Sequence, residues 1–286
     1  MNRRHALGLL TGAGLTACGK KAPFPRWRGV LFGIPVHLDF RGIDYDEAQK
    51  LGSSAFAHVQ SFERAFSLWE ESSELSQLNQ KLVLSSPSPV LLDLLGKAGE
   101  LYGATGGTFD PTIHSYLTWS KKEYAEGREP DAAEAEARRK LVDFSRVEIS
   151  QKAIRIPEGF SLDLNAIVQG YVTDRVVEFL SDQCESALVN FGEYRVVGQE
   201  PWSVEVGAKN LSITRALAVS SGAGERLSAT SRANHLINPS SGASPEPKQI
   251  IAIEADEAWL ADGLATVVSV GGDVPQDYTG VMVHRF

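Results

Sequence analysis

The sequence predicts an α+β fold of mainly antiparallel sheet with helices packed on it. Three observations carry this reading: strand-like runs do not alternate regularly with helices, neighbouring runs sit close enough to form hairpins, and several segments show helical apolar spacing. No internal repeat at a short fixed period and no low-complexity linker interrupts the chain after its N-terminal segment.

That N-terminal segment reads as an address. Asn2-Arg3-Arg4-His5 is a charged head, residues 6–15 are an apolar run, and Leu15-Thr16-Ala17-Cys18 has the form of a lipoprotein cleavage site. The run is shorter than the roughly 20 apolar residues a permanent span requires. Residues 1–18 are therefore expected to be a signal peptide ending in a lipidated Cys18, with export by the twin-arginine route. Residues 19–29 are expected to be a tether, and 30–286 a single domain on the periplasmic side of the membrane. With Cys18 lipidated, Cys184 is the remaining thiol, so no intramolecular disulfide is available and a packed core must hold the fold. The formal charge of −8 and the lack of a basic cluster after the signal argue against a nucleic-acid partner.

Residues 30–39 alternate and read as a strand with Gly33 at its centre. Residues 44–69 repeat apolar side chains every three or four positions and read as one long helix. A short helix over 73–79 follows, with Ser73 as cap, and another covers 88–102. Residues 116–140 are polar, rich in Ala and Glu, and read as an exposed helix. Runs around 146–149 and 153–156 form a hairpin leading into Ser161-Leu-Asp-Leu-Asn-Ala-Ile-Val-Gln-Gly-Tyr-Val-Thr-Asp174. There Asp163 and Asn165 stand at a helix start, and Leu164, Ile167, Val168, Tyr171, Val172 and Val176 set one stripe toward a core. Strands are expected over 186–191, 202–206, 213–220 and 249–254. A last helix over 256–270, capped by Asp256, precedes a closing strand over 281–285.

Five stretches are rich in residues that do chemistry, and each has an ordinary structural reading beside a functional one. Trp69 is either a core aromatic or a plate on which a planar ligand stacks. Gly106-Gly107-Thr108-Phe109-Asp110-Pro111-Thr112 is a turn, or a close backbone approach to a ligand. Asp163 and Asn165 cap a helix, or help a helix start receive an anion. His235, ahead of Asn238-Pro239-Ser-Ser-Gly242, is a packed residue or a displayed base. Asp262 and Thr266 share a helix face. They are a surface pair, or oxygen ligands suited to a hard cation such as Mg²⁺. Zinc is disfavoured, since no His or Cys pair has ligand spacing.

Taken in order, SLWEESSELSQLN, GGTFDPT, DLNAIVQGYVTD, VNFGEY, SSG, HLINPSSG and ADGLAT resemble the ordered motifs of the FAD:protein FMN transferase family, the ApbE-type flavin transferases. The likeness runs over about 33–266, nearly all of the chain beyond the signal. It implies an ApbE-like fold and an enzyme that uses Mg²⁺ and cleaves FAD. FMN is attached through its phosphate to a Thr or Ser hydroxyl of a partner protein, here a membrane or periplasmic redox protein, and AMP leaves. FAD hydrolysis to FMN and AMP, and flavin binding without turnover, are the alternative readings.

By motif position the resemblance assigns the metal to Asp262, Thr266 and the Ala166 carbonyl. It assigns the flavin nucleotide to Trp69, Thr108, Phe109, Asp110, Asp163, Gln169 and the strand near Leu236, and the base to His235. The chain departs from the family pattern at several positions. Phe32-Gly33-Ile34 stands for Met-Gly-Thr, Gln169 for a lysine, Glu193-Tyr194 for a Gly-Asp pair, Ser220 for Thr, and Asn238 for Asp.

Overall fold

A computed structural model describes residues 24–228 and 232–286. The signal segment, Cys18 and the first part of the expected tether lie outside the described residues. No helix among those described is long and apolar enough to cross a membrane.

The chain enters on a hairpin, β1 (Arg26–Leu31) and β2 (Ile34–Arg41), with Leu31 opposite Ile34. The single strand expected over 30–39 is thus two, and residues 26–29, expected in the tether, belong to β1. The reversal places Phe32 (φ 52°) and Gly33 (φ 77°) in the left-handed region, the two-residue turn whose twist suits a hairpin. Glycine takes this conformation without strain. Phe32 is held there by its amide, which donates to Glu63 Oε1 at 2.6 Å.

Helix α1 (Tyr45–Gln60) starts where Asp44 accepts the Glu47 amide. The helix expected over 44–69 breaks after Gln60 and resumes as α2 (Glu63–Phe66), which sets Phe62 and Phe66 against the Tyr171 ring. Helix α3 (Glu74–Lys81) is capped by Ser73 as expected, strand β3 (Val83–Ser85) follows, and α4 (Pro89–Ala104) is capped by Ser88. The expected helix over 116–140 divides into α5 (His114–Ala125) and α6 (Ala132–Arg139), because Gly127 and Pro130 end the helical path. It is also less exposed than composition suggests. Tyr116, Leu117, Trp119 and Ala135 bury a small cluster with Ile237. Strands β4 (Glu148–Ile149) and β5 (Ala153–Arg155) form the expected hairpin, and β3 joins its edge.

Next come α7 (Asn165–Leu180), β6 (Ser186–Asn190), β7 (Tyr194–Val197), β8 (Trp202–Val206), β9 (Lys209–Ile213), β10 (Ala216–Ser221), β11 (Ile250–Ala255), α8 (Ala258–Ser269) and β12 (Met282–Arg285). The expected strand over 213–220 is therefore split, since Ile213 closes β9 before β10 begins. Strands β7 and β9 are additions to the sequence reading.

Among the described residues, seven strands make one antiparallel sheet in the order β1-β2-β6-β7-β10-β11-β12. Alternation sets its two faces. Val36, Leu38, Phe40, Ala187, Val189, Ala218, Ile251 and Ile253 join the large core that also holds α1, α4, α7 and α8. Leu188, Val196, Leu217 and Ala252 point the other way, under the β8–β9 ribbon and its Trp202, Val204 and Val206.

Two contacts lock α7 to α8 and so position the site. A Cβ at Gly170 would lie 2.2 Å from the Ala258 carbonyl oxygen, so only glycine lets the helices approach this closely. The second contact corrects the capping expectation. Asp256 does not cap α8; Asp174 of α7 accepts the Ala258 and Trp259 amides at 2.8 and 2.9 Å and pairs with Arg195. A fully buried carboxylate from a neighbouring helix thus serves as the cap.

Candidate active site

Three of the separated sequence blocks meet at the backbone of Leu162–Asp163. Asn79, at the end of the α3 block, accepts the Leu162 amide at 2.7 Å and donates to the Leu162 carbonyl at 2.9 Å. From the other side the Asp163 amide donates to the Pro111 carbonyl at 2.9 Å. These bonds fix the strand-to-helix junction before α7 begins. Asp163 does not take the N-cap position, which is Leu164, but its Oδ1 accepts the Asn165 amide at 2.7 Å.

Asp262 is nearly buried, and its Oδ2 accepts the Gly170 amide at 3.0 Å. In a regular helix that amide belongs to the carbonyl four residues earlier, which is Ala166. The carboxylate and the Ala166 carbonyl therefore converge on one N–H group, and Thr266 stands one helical turn beyond Asp262. Burial pushes the Asp262 carboxyl up to about 7, the Gly170 amide pulls it back, and the Asp174 charge adds to the rise.

Glu193 is buried beside Asp262, and its own carboxyl is raised by burial and by the Asp262 charge. Its Oε2 accepts the Val219 amide at 3.0 Å, at the point where the short β7–β10 pairing has ended. Gln169 lies over the β6–β7 turn, where a Cβ on Gly192 would come within 2.3 Å of its Oε1.

His235 belongs to a second cluster. The strand-like reading around it reduces to an isolated bridge between Arg226 and Asn234 in the long excursion from β10 to β11. Asn234 is fully buried. Its side chain donates to the Arg232 and Pro245 carbonyls and accepts the Leu236 amide, which sets the path of the chain at His235. The His235 amide donates to the Glu225 carbonyl at 2.9 Å. Nδ1 of its ring lies 3.3 Å from the Glu225 amide nitrogen and 3.4 Å from the Glu225 carbonyl oxygen. Two tautomers fit these contacts. With Nδ1–H donating to the carbonyl, Nε2 keeps a lone pair; with Nδ1 accepting from the amide, the neutral ring carries its hydrogen on Nε2. Burial lowers the imidazole below its ordinary value, against a smaller upward pull from Glu225, and so favours the neutral ring.

Glu225 also receives Lys121 of α5, whose Nζ is 2.8 Å from Oε2. Asp163 is close by. Burial pushes its carboxyl up, but the His114 imidazole, the Asn165 amide and the Lys121 charge outweigh that and leave it below the ordinary value. His114 Nδ1 is 3.6 Å from Asp163 Oδ2, beyond hydrogen-bond reach, and this buried atom has no hydrogen-bond partner among the described residues.

The other expected residues fall into different places. Phe109 is a core residue, 3% exposed. The Asp110 carboxylate is already engaged: Oδ1 accepts the Thr112 amide and hydroxyl at 2.8 and 2.6 Å, and Oδ2 accepts the Phe144 amide at 3.1 Å. Thr108 is half-buried, with its methyl group near Gly272. Gly106, Gly107 and Asp110 line an open cleft of about 410 Å³, opposite Arg139, Lys140 and Pro239. Leu236 is buried next to His235. Trp69 is 64% exposed on the loop between α2 and α3, which removes the core-aromatic reading. Among the described residues no group of three or more His, Cys, Asp or Glu side chains is placed to hold a metal. The expected set of one carboxylate, one hydroxyl and one carbonyl is of another kind.

The sequence matches the ApbE family profile over residues 32–277. The chain belongs to the ApbE family. A relative from Klebsiella pneumoniae (strain 342), named FAD:protein FMN transferase, is 25% identical over 235 residues, covering 76% of this chain and 72% of its own. The flavin transferase ApbE from Vibrio cholerae superposes with a TM-score of 0.72 at 22% identity, over 92% of this chain and 94% of its own. The ApbE protein from Thermotoga maritima gives 0.73 at 21% identity, over 86% of each chain. At these identities the two structures speak for the ApbE fold, whose antiparallel sheet and packed helices are those described above.

His114, Lys121 and Glu225 are site neighbours that motif reading does not supply, since they lie in segments with no motif. Glu193 left a trace in the sequence as a departure from the family pattern. Asp174 closes the DLNAIVQGYVTD motif, but its partners on α8 are distant in sequence.

Proposed function

We propose that this ApbE-family protein is a Mg²⁺-dependent FAD:protein FMN transferase. In the reaction, a Thr or Ser hydroxyl oxygen of an acceptor protein attacks the FMN phosphorus of FAD. The bond to the AMP phosphate breaks, FMN stays on the acceptor as a phosphoester, and AMP leaves. The observation that carries the reading is the burial of Asp262 on the Gly170 amide beside Glu193. Two carboxylates raised by burial lie together where a hard cation would lower the cost of their charge. Asp262, Thr266 and the Ala166 carbonyl are the oxygens that would hold Mg²⁺. The ion would supply positive charge against the phosphate oxygens as charge shifts to the departing AMP.

The chain's own residues supply the rest. His235, as the Nδ1–H tautomer directed at the Glu225 carbonyl, takes the hydroxyl proton on Nε2. Its lowered pKa keeps the ring in the unprotonated form at neutral pH. The exposed Trp69 ring offers a stacking surface to the flavin, and the backbone of 106–108 a close approach to the nucleotide. Asp163 and Gln169, at the start of α7, complete the contacts. The N-terminal segment places the enzyme, lipid-anchored through Cys18, on the exported side of a membrane, where its acceptor is a membrane or periplasmic redox protein.

Incubation with FAD, Mg²⁺ and a candidate acceptor domain tests the transfer. An acceptor band that fluoresces after denaturing electrophoresis is expected. AMP release with every acceptor tried left unlabelled would favour hydrolysis instead.

A further inference from the structure

The His235 cluster already holds the Asp163 carboxylate, whose pKa is kept below the ordinary value by its neighbours. A dinucleotide with a pyrophosphate linkage brings further negative charge into this site. One ammonium group stands in the His235 cluster. Lys121 projects from α5, a segment without any recognised motif, and meets Glu225 at 2.8 Å. Glu225 in turn touches the His235 ring and amide through its own backbone. The pair is only partly covered, with 37% of the Lys121 side chain and 33% of the Glu225 side chain exposed, so the ammonium is open to an incoming anion.

Building on the flavin-transferase reading, we propose that Lys121 is a phosphate-binding residue of this site: its ammonium, parked on Glu225 beside His235, takes a phosphate oxygen of the bound dinucleotide. Lys121 has three donors, so it can keep Glu225 while it engages a phosphate oxygen. Its charge already reaches both sides of the cluster, as it acts on the Asp163 carboxyl and on the His235 imidazole. Glu225 prevents the lysine from turning out to solvent when the site is empty. Because its carboxylate competes for the ammonium, it also keeps anion binding reversible.

The test compares FAD with riboflavin, which has the same ring system and no phosphate. Affinities are measured by flavin fluorescence in EDTA, so that neither metal binding nor turnover enters. Lys121→Gln is expected to weaken FAD about ten-fold while leaving riboflavin within about two-fold, as loss of one charge-assisted contact requires. Lys121→Arg should restore most of the FAD affinity, and the FAD constant of Lys121→Gln should depend less steeply on salt. Unchanged FAD affinity in Lys121→Gln, or a parallel loss of riboflavin, would overturn the proposal and leave the transferase reading standing. A parent protein that binds neither flavin would overturn both.

Discussion

The Asp262 carboxylate and the Gly170 amide meet at 3.0 Å across the α7–α8 contact. This bond joins α8, which carries the expected metal ligands Asp262 and Thr266, to the start of α7, which carries the third, Ala166, and is expected to face the nucleotide. It is possible only because Gly170 has no side chain to hold the two helices apart.

In the metal-free protein Asp262 should weaken the fold as pH rises. Its folded-state pKa is about 7 against an ordinary 3.8, so between those values the folded form holds a proton that the unfolded chain has released. Stability from this group is full below about pH 4 and is lost as pH climbs through 7. Asp262→Asn should therefore stabilise the EDTA-treated protein at pH 8 by about 1–3 kcal/mol, with little effect at pH 4. Urea denaturation at the two pH values checks this, and an identical pH response in parent and variant would contradict it.

Removing the base should spare binding. His235→Gln is expected to slow transfer by about 10²–10⁴-fold with FAD affinity unchanged. In the parent, the acid limb of the pH–rate profile should lie below the ordinary histidine value of 6.5, since burial lowers the imidazole. A variant that transfers at the parental rate removes His235 from the mechanism.

Gly170→Ala tests the helix approach itself. The new Cβ would sit 2.2 Å from the Ala258 carbonyl oxygen, so α7 and α8 must part. We expect a loss of about 1–3 kcal/mol in urea denaturation, the usual cost of overpacking. Mg²⁺ should then give a smaller rise in melting temperature than in the parent, because Ala166 and Asp262 no longer converge.

Asp174→Ala should cost more, about 3–5 kcal/mol, because it leaves Arg195 without its buried partner and the first amides of α8 without a cap. A loss below about 1 kcal/mol, the range of an exposed ion pair, would show that water replaces the carboxylate at no great cost.

What could be read from sequence was local. Ser73 announces α3 because a side-chain cap acts within three residues, and the α7 stripe is visible because burial repeats along one helix. The hairpin at Phe32-Gly33 was hidden, because its alternation continues on both sides of the turn and one of the two left-handed residues is not glycine. The cap of α8 was hidden for a different reason: Asp174 lies 84 positions before Ala258. The same limit applies to the site. Ordered motifs name His235 and Asp262, whereas Lys121, Glu225 and Glu193 become neighbours of those groups only when the sheet and helices close. Asp110 shows the converse, a motif carboxylate whose oxygens are spent on the Thr112 and Phe144 amides and the Thr112 hydroxyl.

The most direct measurement of the central claim is AMP release. The protein is incubated with FAD and several acceptor domains, with Mg²⁺ or with EDTA, and the nucleotides are separated by chromatography. AMP formed with Mg²⁺ together with a flavin-labelled acceptor, both absent in EDTA or in Asp262→Ala, is the predicted result. FAD that binds in the presence of Mg²⁺ and every acceptor, yet yields no AMP, would contradict it.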